Sequence, residues 1–421
     1  MVPHSCRPAC LRRLSGLVVL LGALCGGAAS VAAQATFPPA GPDVLLSPNI
    51  NLLDPEFNFR RRMLTWVDLS TGSIWVGGYD YATGNLVPAD GKGTLIEAAV
   101  AAGPLNPALG FTRNGPEWAL GDTTDYVVYT RTNAPGDPTP DNSQIGTASM
   151  SANGKWTRRT LPPLRRNGPY GSRSRDASAK ISYQDGNGKH YVRTITDAAS
   201  EVALPGLQRA GISPVVRFAD TANIVSYPLT IDGVKQVVAY NIDTAVLSQL
   251  TFDAGAKDQN WLYSAPEIGG NLALTALVDG GTLIASYVPT VDSQGQTTYT
   301  RIAGIQAPGG GSWFSLEPFV YQGRSYALAQ LTPPGVAYPT SVWLMSLDAS
   351  TSVLRQVTPN GLPTETRADA EIVPLATGAM VVYSKFDNTK CPDGTDGSWL
   401  CLPGAMGLFR AESGLPPPPP R

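Results

Sequence analysis

The stretch SPVVRFADTANIVSYPLTIDGVKQVVAYNIDTAVLSQLT, residues 213–251, contains four short β-type runs and the turns between them. A Ser-Pro pair heads an apolar run, and a second run, NIVSYP, follows at 223. The remainder, KQVVAYNIDTAVLSQLT, folds back on itself around Asp243 and Thr244. β-branched and aromatic residues alternating with turn formers are the pattern of hairpins. The segment therefore reads as one antiparallel sheet of four strands.

The same order recurs along the chain. Short marks head the apolar runs, as in DPEF at 54, GPEW at 115, EPFV at 317 and DAEI at 369. Taking Pro55, Pro116, Pro169, Pro214, Pro266, Pro318 and Ala370 as register gives intervals of 61, 53, 45, 52, 52 and 52 residues. The first interval is long because a helical pattern, TLIEAAVAA (94–102), is inserted there. A second run follows each mark in six of the seven units, and its aromatic keeps a near-constant offset. Tyr129, Tyr227 and Tyr383 lie 13 residues beyond their marks, Trp66 lies 11 and Tyr183 lies 14. Periods of this length indicate a solenoid or a propeller, and four strands per unit select the propeller. The expected fold is all-β: a single seven-bladed β-propeller of four-stranded antiparallel blades, with six or eight blades as the alternative count.

A ring must close, because an open one exposes a strand edge. The last unit has only three runs, ending with GLFRAE (407–412), before SGLPPPPPR begins. Proline cannot donate to a sheet ladder. The unassigned run DVLLS (43–47) is expected to supply the missing strand and lock the last blade from the N-terminal side.

Three segments carry a family resemblance: DPEFNFRRRMLTWVDLSTGSIWVGGYDYATGNL, the stretch at 213–251, and VWLMSLDASTSVLRQVTPNG. They resemble the TolB-type (WD40-like) propeller repeat. That repeat opens on an Asp/Ser-Pro-x-aromatic strand and closes on a YxxDxxTGxxxxLT hairpin. The resemblance implies the propeller fold over nearly all of residues 36–412 and points to no particular activity. In the first unit the family's Ser-Pro-Asp-Gly turn is replaced by Asn58-Phe59-Arg60-Arg61.

Composition agrees with many short strands. Charged residues make up 15% of the chain, and it holds 44 Gly and 37 Pro. Residues 1–35 differ: three arginines precede a long apolar run, and AQA at 33–35 supplies the small residues of a cleavage site. This is the pattern of a secretory signal peptide, with an uncleaved anchor as the other reading. No later stretch is apolar enough to span a membrane. Of five cysteines, only Cys391 and Cys401 lie beyond the leader. They are expected to form a disulfide in an oxidising compartment, periplasmic or extracellular. Residues 413–421 form a Pro-rich tail.

Two groups of residues invite functional readings. The acids of the marks, Glu56, Glu117, Glu267, Glu317 and Glu371, have a structural and a binding interpretation. They can accept backbone N–H bonds between blades, or they can form an axial acidic ring that takes a cation or a basic partner segment. The stretch 155–180 is basic, with Lys155, Arg158, Arg159, Arg165, Arg166, Arg173 and Arg175 set against the single acid Asp176. It reads either as a solvated face or as a dock for an anionic partner.

Catalytic signals are sparse. His190 is the only histidine beyond the leader, and no G-x-S-x-G elbow occurs. The expectation is an exported, non-catalytic, monomeric propeller without a cofactor. It would bind an envelope protein or an anionic glycan on one rim and the axial mouth. The alternative is a polysaccharide lyase or glycosidase using carboxylates and tyrosines. Nucleic acid is not an expected partner of an exported chain with 31 Lys and Arg against 33 Asp and Glu.

Overall fold

The computed structural model describes residues 41–98, 115–132, 143–208, 216–348, 353–391 and 401–418, apart from 152, 292 and 294. The leader and its cleavage site lie outside the described residues. The chain builds seven antiparallel sheets of four strands, the first of them with a fifth strand. The protein is a seven-bladed β-propeller.

The inner strands, which face the axis, are Leu52–Asn58, Glu117–Ala119, Arg166–Gly171, Arg217–Phe218, Lys257–Ser264, Ser312–Tyr321 and Glu365–Leu375. The runs singled out by their aromatics are all second strands: Met63–Asp68, Tyr126–Thr132, Lys180–Asp185, Ile224–Ile231, Arg324–Thr332 and Gly378–Asp387. Blade 7 takes its outer strand from the N-terminal side, with Val44 opposite Arg410 and Leu45 opposite Phe409. The ring is closed as the sequence required.

Apolar burial is shared out by junction. Seven clusters each fill the space between two neighbouring blades, for example Val67, Ile74, Val127 and Tyr129 between blades 1 and 2. A fully buried side chain of this size contributes about 2 kcal/mol, so each blade is stabilised mainly by its neighbours. The second-strand aromatics are all buried, and five of them send their polar tips outward. Trp66 Nε1 donates to Gly91 O (3.1 Å), Tyr227 Oη to Pro205 O (3.0 Å) and Tyr129 Oη to Glu97 Oε2 (3.0 Å). Tyr183 and Tyr383 reach Glu201 and Asp43. These tips bond the outer margin of their own or the preceding blade, which accounts for the constant offset of the aromatic.

Two expectations need correction. The insertion at 94–102 does not begin as a helix: Thr94–Glu97 is a strand paired with the third strand of blade 1. Ile96 is buried there among Val67, Ile74 and Val76, and that burial outweighs helical propensity. The rest of the inserted pattern lies outside the described residues. Second, among the described residues the mark opens the inner strand in blade 2, where Glu117–Ala119 follows Pro116, but not elsewhere. In blades 1, 3, 6 and 7 they fall mid-strand, and in blade 5 Pro266 lies past the inner strand, in a turn at Pro266–Ile268. The Pro-rich tail is docked where it begins. Leu415 is buried, and the carbonyl of Pro416 accepts bonds from Tyr321 Oη (2.9 Å) and Gln322 Nε2 (2.9 Å).

Cys391 and Cys401 are joined in a disulfide, Cα–Cα 5.8 Å, in the connection between the second and third strands of blade 7.

Candidate functional site

A β-bulge recurs on the inner strands and builds the axis. The register slips between Leu53 and Glu56, Asn167 and Tyr170, Asp258 and Trp261, Phe314 and Glu317, and Ala368 and Glu371. At each slip one residue has positive φ: Asp54 (57°), Gly168 (60°), Gln259 (42°), Ser315 (47°) and Asp369 (50°). Such bulges bend a strand and re-aim a side chain. The residue two places on is the one presented to the hub. Proline suits the position between them, since an inner edge strand has no partner on the channel side.

The hub is therefore lined in blade order by Glu56, Glu117, Tyr170, Arg217, Trp261, Glu317 and Glu371, with Asp54 and Asp369 behind. Glu317, one residue out of phase by its proline, is in phase by its bulge. Glu267 is not part of this ring. It is exposed and accepts bonds from the next blade, from Ser325 N (2.6 Å) and Ser325 Oγ (2.8 Å). That is the inter-blade contact described by the structural reading of the marks.

Arg217 is clamped at the centre. Its guanidinium lies 4.3 Å from the Tyr170 ring centroid and 4.4 Å from that of Trp261, and Nη2 is 3.7 Å from Glu317 Oε1. Arg173 lies 4.6 Å over Trp261 and donates across the hub to Pro318 O (3.1 Å). Two guanidinium groups thus face six carboxylates.

The imbalance shows in protonation. Burial, and then the charges of Glu117, Glu371, Asp54 and Glu317, hold the Glu56 carboxyl well above its ordinary value. Burial raises Glu117 strongly against the pull of Arg217. Glu371 is raised by burial and by Glu317 and Glu117, and Asp369 by burial and by Asp54 and Glu317. Burial pushes Asp54 up to about 6, against a hydrogen bond from the Gly115 backbone. A Cβ on Gly115 would sit 1.4 Å from Asp54 Oδ2, so only glycine allows that approach. Glu317 is raised by burial despite Arg217 and Arg173.

The basic stretch is dispersed. Lys155, Arg158, Arg159 and Arg165 are exposed along or beside the outer strand of blade 2 (Trp156–Leu161), where charge discourages edge pairing. Arg158 pairs there with Glu97 (3.2 Å). Arg166 is bound to Glu201 (2.9 Å), Arg173 enters the hub, and Arg175 pairs with Asp125 (3.1 Å). His190 is buried on the third strand of blade 3, opposite Gln184.

Sequence reasoning missed Asp54, Tyr170, Arg217, Trp261 and Asp369. The usable signal was the residue two places beyond a turn former such as Asp54, Gly168 or Asp369, not the proline. Among the described residues no three of His, Cys, Asp and Glu are grouped to hold a metal ion, and no helix is long and apolar enough to cross a membrane.

The fold and hub define a class, a closed seven-bladed propeller with a charged axis. No family model and no curated protein matches the chain. Among solved structures it is similar to TolB from Acinetobacter baumannii, at 12% identity and TM-score 0.36 over 84% of this chain and 77% of that one. A nidogen/laminin complex chain shares 13% identity and TM-score 0.37 over 70% and 93%. A provisional 6-phosphogluconolactonase of Bacteroides uniformis shares 10% and 0.42 over 82% and 92%. These likenesses concern the fold alone.

Proposed function

We propose that the protein is an exported, non-catalytic binding propeller of the cell envelope, monomeric and without a cofactor. It holds a protein or anionic glycan partner on one rim and the axial mouth. The observation that carries this reading is the hub, where all seven blades bring charged or aromatic side chains to one axis on a rigid closed ring. Rigid scaffolds place their binding groups in this manner. The disulfide and the leader pattern support an oxidising compartment.

The second reading is a glycan-active enzyme. It is favoured by Asp54, whose carboxyl at about 6 suits acid–base exchange near neutral pH. Against a tyrosine base, burial holds the Tyr170 hydroxyl well above its ordinary value.

The test is capture from envelope extract by cross-linking, with a glycan array in parallel, comparing the mature protein with a Glu56→Gln/Glu371→Gln variant. A partner or glycan held by the wild type and lost by the variant supports the reading. Equal capture overturns the hub's part in it. Turnover of uronate or neutral glycans, metal-free or metal-loaded, overturns the non-catalytic assignment.

A further inference from the structure

The turns that follow the inner strands of blades 1, 2 and 3 gather a second charged group at the mouth of the axis. In blade 1, Asn58 Oδ1 accepts the backbone N–H groups of Arg60 (3.0 Å) and Arg61 (3.1 Å), which fixes the Phe59–Arg62 turn. In blade 2, Asp125 is buried, with 1% of its side chain exposed. It accepts from Arg61 Nε (2.9 Å) and from Asn58 Nδ2 (3.4 Å), and it faces Arg175 Nη2 of blade 3 at 3.1 Å. Arg175 Nε also donates to Gly121 O (2.5 Å).

One protein carboxylate thus already sits between two guanidinium groups, which match its planar geometry. It does not balance them. Arg60 is exposed, and its guanidinium has no hydrogen-bond or ion-pair partner among the described residues. Its pKa is lowered by burial and by the charge of Arg175, with Asp125 opposing, so the two cations sense each other. Arg62 lies 4.4 Å over the Tyr81 ring. The nearby acids are committed: Asp122 caps Thr123, and Asp176 binds Thr221 and the Ala222 N–H. Phe59, 44% exposed, stands beside the cluster and packs on Phe57 at 4.9 Å.

We propose that Arg60, with Arg61 and Arg175 beside it, docks the carboxylates of an acidic peptide segment whose apolar residue covers Phe59. Arg61 and Arg175 already share the carboxylate of Asp125, the precedent within the fold, and the unpaired Arg60 next to Arg61 in the chain suits a further Asp or Glu side chain. This rests on the binding reading above and names the partner's chemistry at that mouth.

The probe is a fluorescein-labelled peptide, Asp-Glu-Phe-Glu-Asp-Gly, read by anisotropy on the mature protein. Binding should weaken with salt and fall about tenfold or more in Arg60→Glu, as expected for a lost charge-assisted contact. Arg60→Gln should fall less, and Arg159→Glu, on the outer strand of blade 2, should bind as the wild type does. Each variant is checked for an unchanged melting temperature. Unchanged binding by Arg60→Glu overturns the proposal, as does equal loss in Arg159→Glu. A galacturonate hexasaccharide that binds where the peptide does not would assign the mouth to a glycan instead. If the peptide fails while the hub variant still loses a captured partner, the binding reading stands and this inference falls alone.

Discussion

Blades 3 and 7 hold their outer strands with the same set of side chains, although the chain reaches them by different routes. In blade 3, Arg166 on the inner strand and Tyr183 on the second strand converge on Glu201, just ahead of the outer strand Val202–Gln208. In blade 7, Arg367 and Tyr383 converge in the same way on Asp43, just ahead of Val44–Leu45. The registers agree: Arg166 pairs with Asp185 and Arg367 with Lys385, each two residues beyond its tyrosine. The ring stacked on the tyrosine is Tyr191 in one (6.1 Å, 21°) and Phe409 in the other (6.4 Å, 22°).

The difference is in what else retains the strand. Tyr183 and Glu201 are 18 residues apart, and Leu204 and Leu207 of that outer strand are buried. Tyr383 and Asp43 are 340 residues apart, and Val44 and Leu45 are 43% and 42% exposed. Blade 7 adds charge. Lys385 Nζ lies 3.1 Å from Asp43 Oδ2 and 3.2 Å from Glu365 Oε1. Closure of the ring thus adds a charged clasp to an apolar anchor, since Leu46, next in line and bonded to Leu408 O (2.8 Å), is buried between blades 7 and 1.

The largest expected effect is Asp43→Ala, at about 3–4 kcal/mol, because it leaves Arg367 and Lys385 buried beside Glu365 alone. Denaturant unfolding measures it. Glu201→Ala should cost about 2 kcal/mol, the value of hydrogen bonds to a charged group. Equal costs would break the comparison, since sequence separation would then not matter.

The pH profile sharpens it. Burial disfavours ionisation of Asp43, but the bonds from Tyr383 and Arg367 and the charges beside them outweigh it, so its pKa is lowered. Its stabilising contribution is complete above the ordinary carboxylate range and is lost as pH falls through the depressed value. The hub has the opposite sign. With Asp54 at about 6 and its neighbours raised, the folded state binds more protons, so stability falls as pH rises past the ordinary carboxylate range. Melting temperature should peak between these limbs. Asp43→Asn should flatten the acid limb and Glu56→Gln/Glu371→Gln the other; a profile unmoved by either change would reject the assignment. The smallest effect is Tyr383→Phe, at about 1 kcal/mol. Hydrogen exchange should then report opening at Val44–Leu45 before any at Val202–Gln208.

The legible part of the fold lay in residues that repeat for packing. Tyr129, Tyr227 and Tyr383 keep their spacing because each buries a ring at a blade junction and bonds an outer margin, so they marked the second strands correctly. The hub was legible only in part. Its positions are set by backbone bulges, which leave no fixed residue type behind: Glu56 follows a proline, Trp261 follows Asn260 and Glu371 follows Ala370. Counting by proline therefore took in Glu267 and passed over Trp261. The basic stretch misled for a related reason, since neighbours in sequence on a strand and its turn diverge to an edge, a blade margin and the axis.

Val44 opposite Arg410 has one more consequence. The first and last strands of the ring are adjacent, so the place where the polypeptide starts is a property of the gene rather than of the architecture. A short linker across that seam, with a new break between the outer strand of blade 2 and the inner strand of blade 3, should yield a circular permutant with the same seven sheets. In it the seam would be covalent, while Asp43 would still be needed to balance Arg367 and Lys385.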